Sequence, residues 1–320
     1  MKRTLIASTV LLMTAAPAFA WPDRPITMIV PWAAGGGTDA VARTIAAGLE
    51  QELGQPVNVV NRTGGGGVIG HNELVNAEAD GYTIALATAE LTTYYWAGTG
   101  EFTYEQVTPI ALVNFDAGAF HVSANSEWDD LGEALQAIRE EPAGTYKLSG
   151  MPAGAGYHLA FAGLLQQNDI EPNAVTVVPS QGAAPGFQAL AAGTIEIVPS
   201  SLPEGRSMVD AGRVKALAVF ANERVGAFPD VPTVEDAIGD AYAGGTWRGV
   251  VGPAGLPDEV VARLTEAVET VVQGEDYRQF MENGGFGTGW AKGDEFAQFL
   301  AEQHENNGEI MQAIGLRQRN

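Results

Sequence analysis

A two-lobed α/β architecture, with mostly parallel sheets and helices on both faces, is the fold class this chain predicts. Two observations carry it. Short apolar runs rich in Val and Ile alternate with segments of helical spacing from end to end, the pattern of βαβ units. About 300 residues remain after a removable leader, enough for two cores.

The leader comes first. Lys2 and Arg3 supply positive charge, Leu5 to Ala15 is apolar, and Ala18-Phe19-Ala20 is a small-x-small cleavage site. This is an export signal cleaved after Ala20, placing the mature chain in the periplasm. Its apolar core is too short to anchor, and no later stretch is long and apolar enough to span a bilayer. The chain has no cysteine, so it carries neither a lipid anchor at the cleavage site nor disulfides.

The first βα unit is the most informative. Ile26–Val30 reads as a strand, Pro31 ends it, and Gly35-Gly36-Gly37 opens onto a helix that Thr38 or Asp39 can cap. Val41, Ile45, Leu49 and Leu53 recur every four residues, and Gly54 can close the helix. Such a junction suits an anion. Glycines let backbone N–H groups approach a ligand, and the first N–H groups of a helix are unpaired and carry partial positive charge.

Further strands are expected at Val57–Val60, Tyr82–Ala87, Ile110–Val113, Tyr146–Ser149, Val175–Val178, Thr194–Val198 and Val214–Phe220. Helical segments fall at Val68–Glu78, Leu131–Glu140, Tyr157–Gln167 and Gly186–Ala192. A run from Thr246 to Val251, then Pro253 and three helical segments, completes the chain. The units divide into one lobe of residues 21–117 plus 246–320 and another of 118–245. Ligands of such sheets bind beyond the strand C-terminal ends. Those ends carry glycine-rich or hydroxyl-rich loops here, at Ala33–Thr38, Thr63–Gly67, Thr88–Thr93, Gly150–Gly156, Gln181–Gly182 and Pro199–Ser201.

Composition excludes several classes. There are 39 acidic and 17 basic residues, a net charge of −22, and loss of the leader removes two of the basic ones. That field repels nucleic acid and anionic membranes, so any anionic ligand must be held by local donors. Gly35 to Ala40 fits G-x-G-x-x-G/A, but Val57–Val60 is followed by Asn61-Arg62-Thr63 rather than the acidic residue a dinucleotide ribose requires. No lysine follows a glycine-rich run, which removes a P-loop. An enzyme is poorly served: there is no cysteine nucleophile and no G-x-S-x-G elbow. His71, His121, His158 and His304 lack metal-ligand spacing, so neither metal nor cofactor is expected.

Several ordered blocks then carry a resemblance. They are Trp21-Pro22-Asp23-Arg24-Pro25-Ile26, Val30 to Asp39, Leu53-Gly54-Gln55-Pro56-Val57, Asn61-Arg62, Ala79-Asp80-Gly81-Tyr82-Thr83, Gly212 to Val219 and Phe228 to Val234. In order and spacing the chain resembles the Bug-type extracytoplasmic receptors of tripartite tricarboxylate transporters, over essentially all of the mature sequence. The resemblance implies a type II periplasmic binding protein, a monomer that closes on a di- or tricarboxylate and delivers it to the membrane components of a transporter. A module reporting occupancy to a membrane kinase would use the same binding chemistry.

Carried over by position, the ligand loop of the first lobe comprises Trp32, Ala34, Gly35, Gly36, Gly37, Thr38 and Asp39, joined by Thr88 and Ala89. The second lobe would contribute from Ser149 to His158, Gln181-Gly182 and Ser200-Ser201, with Gly150, Ala155, His158, Gln181 and Ser200 singled out. Three departures bear on specificity. Pro179-Ser180-Gln181-Gly182 stands where many relatives have Pro-Tyr-Lys-Gly, and Pro199-Ser200-Ser201 where many have Asp-Asn. Trp247-Arg248-Gly249 replaces Trp-Phe-Gly, as in the branch associated with tricarboxylates. Arg248 reads either as a bidentate partner for a ligand carboxylate or as an interlobe or surface salt bridge in an acidic protein. His158 reads as a ligand donor or as a cap. Trp32 and Tyr94-Tyr95-Trp96 read as cleft lining or as core.

Overall fold

The computed structural model describes residues 21–319, so the export signal lies outside the described residues. Its strands are β1 (Ile26–Val30), β2 (Val57–Asn61), β3 (Thr83–Thr88), β4 (Val107–Ala117), β5 (Ala119–Ser123), β6 (Lys147–Leu148), β7 (Thr176–Val177), β8 (Val214–Val219), β9 (Gly245–Pro253) and β10 (Ala291–Lys292). Its helices are α1 (Gly37–Leu53), α2 (Val68–Val75), α3 (Tyr94–Ala97), α4 (Leu131–Glu140), α5 (Gly156–Gln167), α6 (Ala183–Ala191), α7 (Leu202–Asp210), α8 (Val234–Ile238), α9 (Asp258–Gln273), α10 (Glu275–Gly284) and α11 (Asp294–Ala313).

The first sheet has six strands in the order β10-β4-β9-β3-β1-β2. Its βα half is parallel, with Met28 opposite both Val59 and Ile84. Period-two alternation divides these strands between two faces. Ile26, Met28, Val30, Ile84 and Leu86 pack with Ile45 and Leu49 of α1 and with Leu264 and Val268 of α9. Ile29, Ala85 and Ala87 turn to the other face, against Leu74 of α2 and Phe296 and Leu300 of α11. The antiparallel pairs of this sheet, β3 with β9, β9 with β4 and β4 with β10, involve the two long strands that lead to and from the second lobe.

In that second lobe β5 pairs with β8 and β6 with β7. Isolated bridges join the two pairs, His121 to Val198 and Leu148 to Ile197. The strand expected at Thr194–Val198 is thus reduced to two bridging residues. Phe120, Val122, Leu135, Phe161 and Leu217 fill one side of this lobe, and Phe187, Leu190 and Val198 fill the other.

The chain passes between lobes twice, at residues 117–119 and 244–245. The two crossings lie side by side: the Gly118 N–H donates to the Gly244 carbonyl at 2.9 Å. A Cβ on Gly245 would collide with the Asp116 carbonyl, so this close approach of backbones requires glycine. The C-terminal helices return to the first lobe, where the Trp96 indole N–H donates to the His304 carbonyl at 2.7 Å and stacks on that ring.

Local boundaries differ from expectation in instructive ways. Helix α1 is capped by Gly36, without a side-chain cap, so Thr38 and Asp39 lie inside its first turn. Its other end is closed by Gly54 in the left-handed region at φ 68°, donating to the Glu50 carbonyl. Helix α2 ends at Val75, short of Glu78, because Asn76 turns back to donate its side-chain amide to the Asn72 carbonyl. Among the described residues no helix is long and apolar enough to cross a membrane.

Candidate ligand-binding cleft

Two hollows lie where the lobes meet. A groove of about 900 Å³ opens to solvent beside the crossings, lined by Phe115, Leu202, Arg206, Phe220 and Phe286 among others. The second is a smaller cavity of about 40 Å³ on which the strand-end loops of both lobes converge. This interlobe cavity is the stronger candidate, because helix starts and buried polar groups face it from both sides.

The first lobe contributes Trp32, Ala33, Gly36, Gly37 and Thr38 from the β1–α1 loop, together with Thr88 and Glu90 after β3. Trp32 stands against the cavity with its indole N–H donating to Thr88 Oγ1 at 3.1 Å, and the Thr88 hydroxyl in turn donates to Glu90. Thr246 and Arg248 arrive on β9. From the second lobe come Gly150, Met151 and Tyr157 around the start of α5, Gly182 and Ala183 at the start of α6, and Glu204 in the first turn of α7.

Three backbone N–H groups donate across the cleft, in addition to the Arg248–Glu204 pair. The Ala33 N–H donates to the Gln181 carbonyl at 3.0 Å. The Gly37 N–H, at the start of α1, donates to Glu204 Oε1 at 3.2 Å. The Gly156 N–H, at the start of α5, donates to Glu90 Oε1 at 3.3 Å. Each lobe therefore places a glutamate on a helix N-terminus of the other, where the helix dipole favours negative charge. Burial pushes both carboxyls above their ordinary range, against the opposing pull of their donors.

Arg248 is buried at 1% exposure. Cross-strand pairing sets it opposite Thr88 on β3 and Asn114 on β4. Its Nε donates to Thr38 Oγ1 at 2.9 Å, Nη1 to Asn114 and Asp116, and Nη2 to Glu204 Oε1 at 2.9 Å. Burial works against its charge, but Asp116, Tyr157 and Glu204 hold the guanidinium protonated beyond its ordinary range. Arg248 makes the interlobe salt bridge of the second reading, to Glu204, buried rather than on the surface, and its donors are engaged by protein oxygens.

Of the residues expected at the site, Trp32, Gly36, Gly37, Thr38, Thr88, Gly150 and Arg248 line the cavity together. The others stand outside it. Ala34 and Gly35 are exposed at the tip of the loop. Asp39 turns back into its own lobe, accepting from the Gly35 N–H, Arg43 and Asn61; burial would raise its carboxyl, but these donors hold it lower than usual. Ala89 and Ala155 are buried beside the cleft rather than on the cavity wall. His158 closes its own glycine-rich loop, its Nδ1 accepting from the Gly154 N–H at 2.9 Å. Burial lowers that imidazole to about 4, so it is neutral at pH 7. Gln181 reaches the other lobe through its backbone carbonyl alone, with an exposed side chain. Ser200 is buried behind Gly150 with its hydroxyl unpartnered. Tyr94 belongs to the first-lobe core, Trp96 packs with Met311 and, across the lobes, with Leu159, and Tyr95 flanks it; none of the three lines the cavity.

Sequence reasoning missed Glu90, Ala183, Glu204 and Thr246, while Met151 and Tyr157 fall within the Ser149 to His158 stretch that the resemblance assigned to the second lobe. Glu90 lies inside the Thr88–Thr93 loop, and Tyr157 directly follows Gly150–Gly156, so position along the chain was a usable signal. Glu204 had no such signal: an acid in a helix first turn ordinarily complements its own dipole.

Known proteins of one kind are similar to the chain over nearly all of its length. The model of the tripartite tricarboxylate transporter family receptor matches residues 41–316. A UPF0065 protein of Bordetella pertussis is 31% identical over 316 residues, covering 97% of this chain and 96% of its own length. A ligand-free TctC solute-binding protein from Polaromonas is 31% identical and superposes with a TM-score of 0.65, over 92% of this chain and 99% of its own. MatC from Rhodopseudomonas palustris with bound malate is 26% identical and superposes at 0.80, over 91% of this chain and 99% of its own.

Proposed function

Because the chain belongs to the tripartite tricarboxylate transporter receptor family, a family of solute receptors rather than enzymes, we propose that it binds a small carboxylate between its lobes and hands it to the membrane subunits of such a transporter. The observation that carries this reading is the interlobe cavity, walled by helix starts of both lobes. A site with walls on two bodies is complete only when they close, so contact with both lobes favours the closed state. The better superposition on the malate-bound relative than on the more identical ligand-free one supports reading the present arrangement as the closed one.

The ligand is compact. A cavity of about 40 Å³ has room for roughly three waters at 10–15 Å³ each, which favours a short dicarboxylate over a bulky tricarboxylate. For one carboxylate, α6 offers a start without a side-chain cap at Gly182 and Ala183, and the buried Tyr157 lines the same cavity. The export signal ahead of Trp21 would place this chemistry in the periplasm.

A thermal-shift screen of the mature chain against mono-, di- and tricarboxylates, sugars and nucleotides tests the reading, paired with small-angle scattering for compaction. Carboxylates should raise the melting temperature by mass action. Stabilisation by sugars or nucleotides alone, or turnover of any compound, would refute it.

A further inference from the structure

The groove beside the crossings plays no part in the carboxylate cleft. Its volume of about 900 Å³ falls within the range of ligand sites, about 300–1,000 Å³. Phe115 and Phe286 of the first lobe and Leu202 and Phe220 of the second give it apolar walls. Phe115 is 44% exposed there, although β4 buries both of its neighbours, Asn114 and Asp116. An exposed ring on the wall of an apolar groove is a surface made to be covered.

One cation lines this groove. Arg206 stands in the second turn of α7, two residues after Glu204 of the cleft, so α7 contributes to both hollows. Its guanidinium lies 4.4 Å from the centroid of the Phe228 ring, and its Nη2 donates to the Ala227 carbonyl at 3.3 Å. Its Nε has no acceptor, and among the described residues no carboxylate pairs with it. That is out of keeping with a chain of 39 acidic and 17 basic residues. Nearby Arg224, by contrast, is tied to Asp236. Of the two acids on the groove, Asp116 is engaged by Arg248 and the Gly287 N–H, and Glu282 is exposed to water.

We propose that this groove is a second binding site, for an apolar monocarboxylate, with Arg206 taking the carboxylate and the phenylalanines the hydrocarbon. A planar guanidinium with free donors matches a carboxylate through paired hydrogen bonds. A single cation suits one carboxylate rather than two, and apolar walls penalise a hydroxyl-rich body that they cannot hydrogen-bond. Because the walls come from both lobes, a ligand that fills the groove as it stands holds the lobes as they stand. The cleft ligand favours that same arrangement, so each site strengthens the other by an equal factor. This coupling, though not the site itself, rests on reading the present arrangement as the closed one.

Calorimetric titration of the mature protein with phenylacetate and hexanoate, each against its alcohol, 2-phenylethanol and hexan-1-ol, tests the site. At least one acid should bind ten times tighter than its alcohol, and Arg206→Gln should bring that ratio toward one, with a melting curve confirming the fold. Phe115→Ser, at an exposed position, should weaken acid and alcohol alike, and it decides the matter if Arg206→Gln does not fold. Acids that bind no better than the alcohols, or not at all, would overturn the site. So would acid binding that survives both substitutions and is lost in Gly156→Ala at the cleft, which would leave the carboxylate receptor intact. Binding through Arg206 in a chain whose cleft takes no small carboxylate would support the groove site and refute the receptor reading. Small-angle scattering reads the coupling without any cleft ligand: the acid that binds should make the particle more compact, and an unchanged or expanded particle would overturn the coupling.

Discussion

Replacing Arg248 with methionine is the sharpest perturbation of this structure. The guanidinium and the Asp116 carboxylate are each 1% exposed, and Glu204 is 5% exposed. Methionine keeps much of the volume but removes every charge-assisted hydrogen bond. Asp116 would still accept from the Asn114 amide and the Gly287 N–H, each at 2.8 Å. Glu204 would keep the Gly37 N–H at 3.2 Å but lose its cation. Leaving one side of a buried ion pair uncompensated costs about 3–5 kcal/mol, a large share of a total stability of about 5–15 kcal/mol. Urea denaturation reads the loss as a lower midpoint at unchanged m. The triple variant Arg248→Met, Asp116→Asn, Glu204→Gln removes the stranded charges and should recover at least half of it, since a buried ion network replaced whole is often nearly neutral. A loss below about 1 kcal/mol for Arg248→Met, the level of an exposed pair, would refute this account of the residue.

Other outcomes follow from the same geometry. Gly156→Ala places a Cβ 2.9 Å from Thr246 Oγ1 and 3.1 Å from the Ala89 Cβ, across the cleft; both lobes should fold, while ligand affinity falls at least tenfold, about 1.4 kcal/mol, and scattering reports a more open particle. Burial lowers His71, His121 and His158 to about 4. The unfolded chain, with imidazoles near 6.5, binds protons between pH 6.5 and 4 that the folded chain refuses, so stability drops as pH falls through that window, by up to roughly 3 kcal/mol per histidine. The raised carboxyls of Glu90 and Glu204 act in the opposite sense, gaining stability as pH falls, and offset part of this. Melting temperatures from pH 7 to 4.5 should therefore decline, less steeply in His121→Leu; an unchanged slope in that variant would contradict the assignment. Gly54→Ala, forced to φ 68° at the end of α1, should cost about 1 kcal/mol by thermal melt.

Much of the fold was legible because its signals are local. Strand β1 and helix α4 fall where alternation and four-residue spacing put them, and Gly54 closes α1 as its position suggested. Strand β5 was not legible. Ala119–Ser123 is a short run joined almost directly to β4, and what makes it a separate strand is the change of partner from β9 to β8. The segment near Thr194–Val198 erred in the other direction: its composition suits a strand, yet only Ile197 and Val198 find bridging partners.

The candidate site divides along the same line. The glycine-rich loop at Gly35-Gly36-Gly37 and the helix behind it are properties of contiguous residues, and sequence alone determined them, together with the family to which the ordered blocks point. The occupants of the cavity are not contiguous. Gly37 and Glu204 are 167 residues apart, Glu90 and Gly156 are 66 apart, and Thr38 and Arg248 are 210 apart. In a chain with 39 acidic residues, nothing local distinguishes Glu90 or Glu204 from a solvated surface charge. Only the approach of the two lobes buries them, brings them onto each other's helix starts and raises their carboxyls, because desolvation and pairing depend on what surrounds a group in space rather than on its neighbours in the chain.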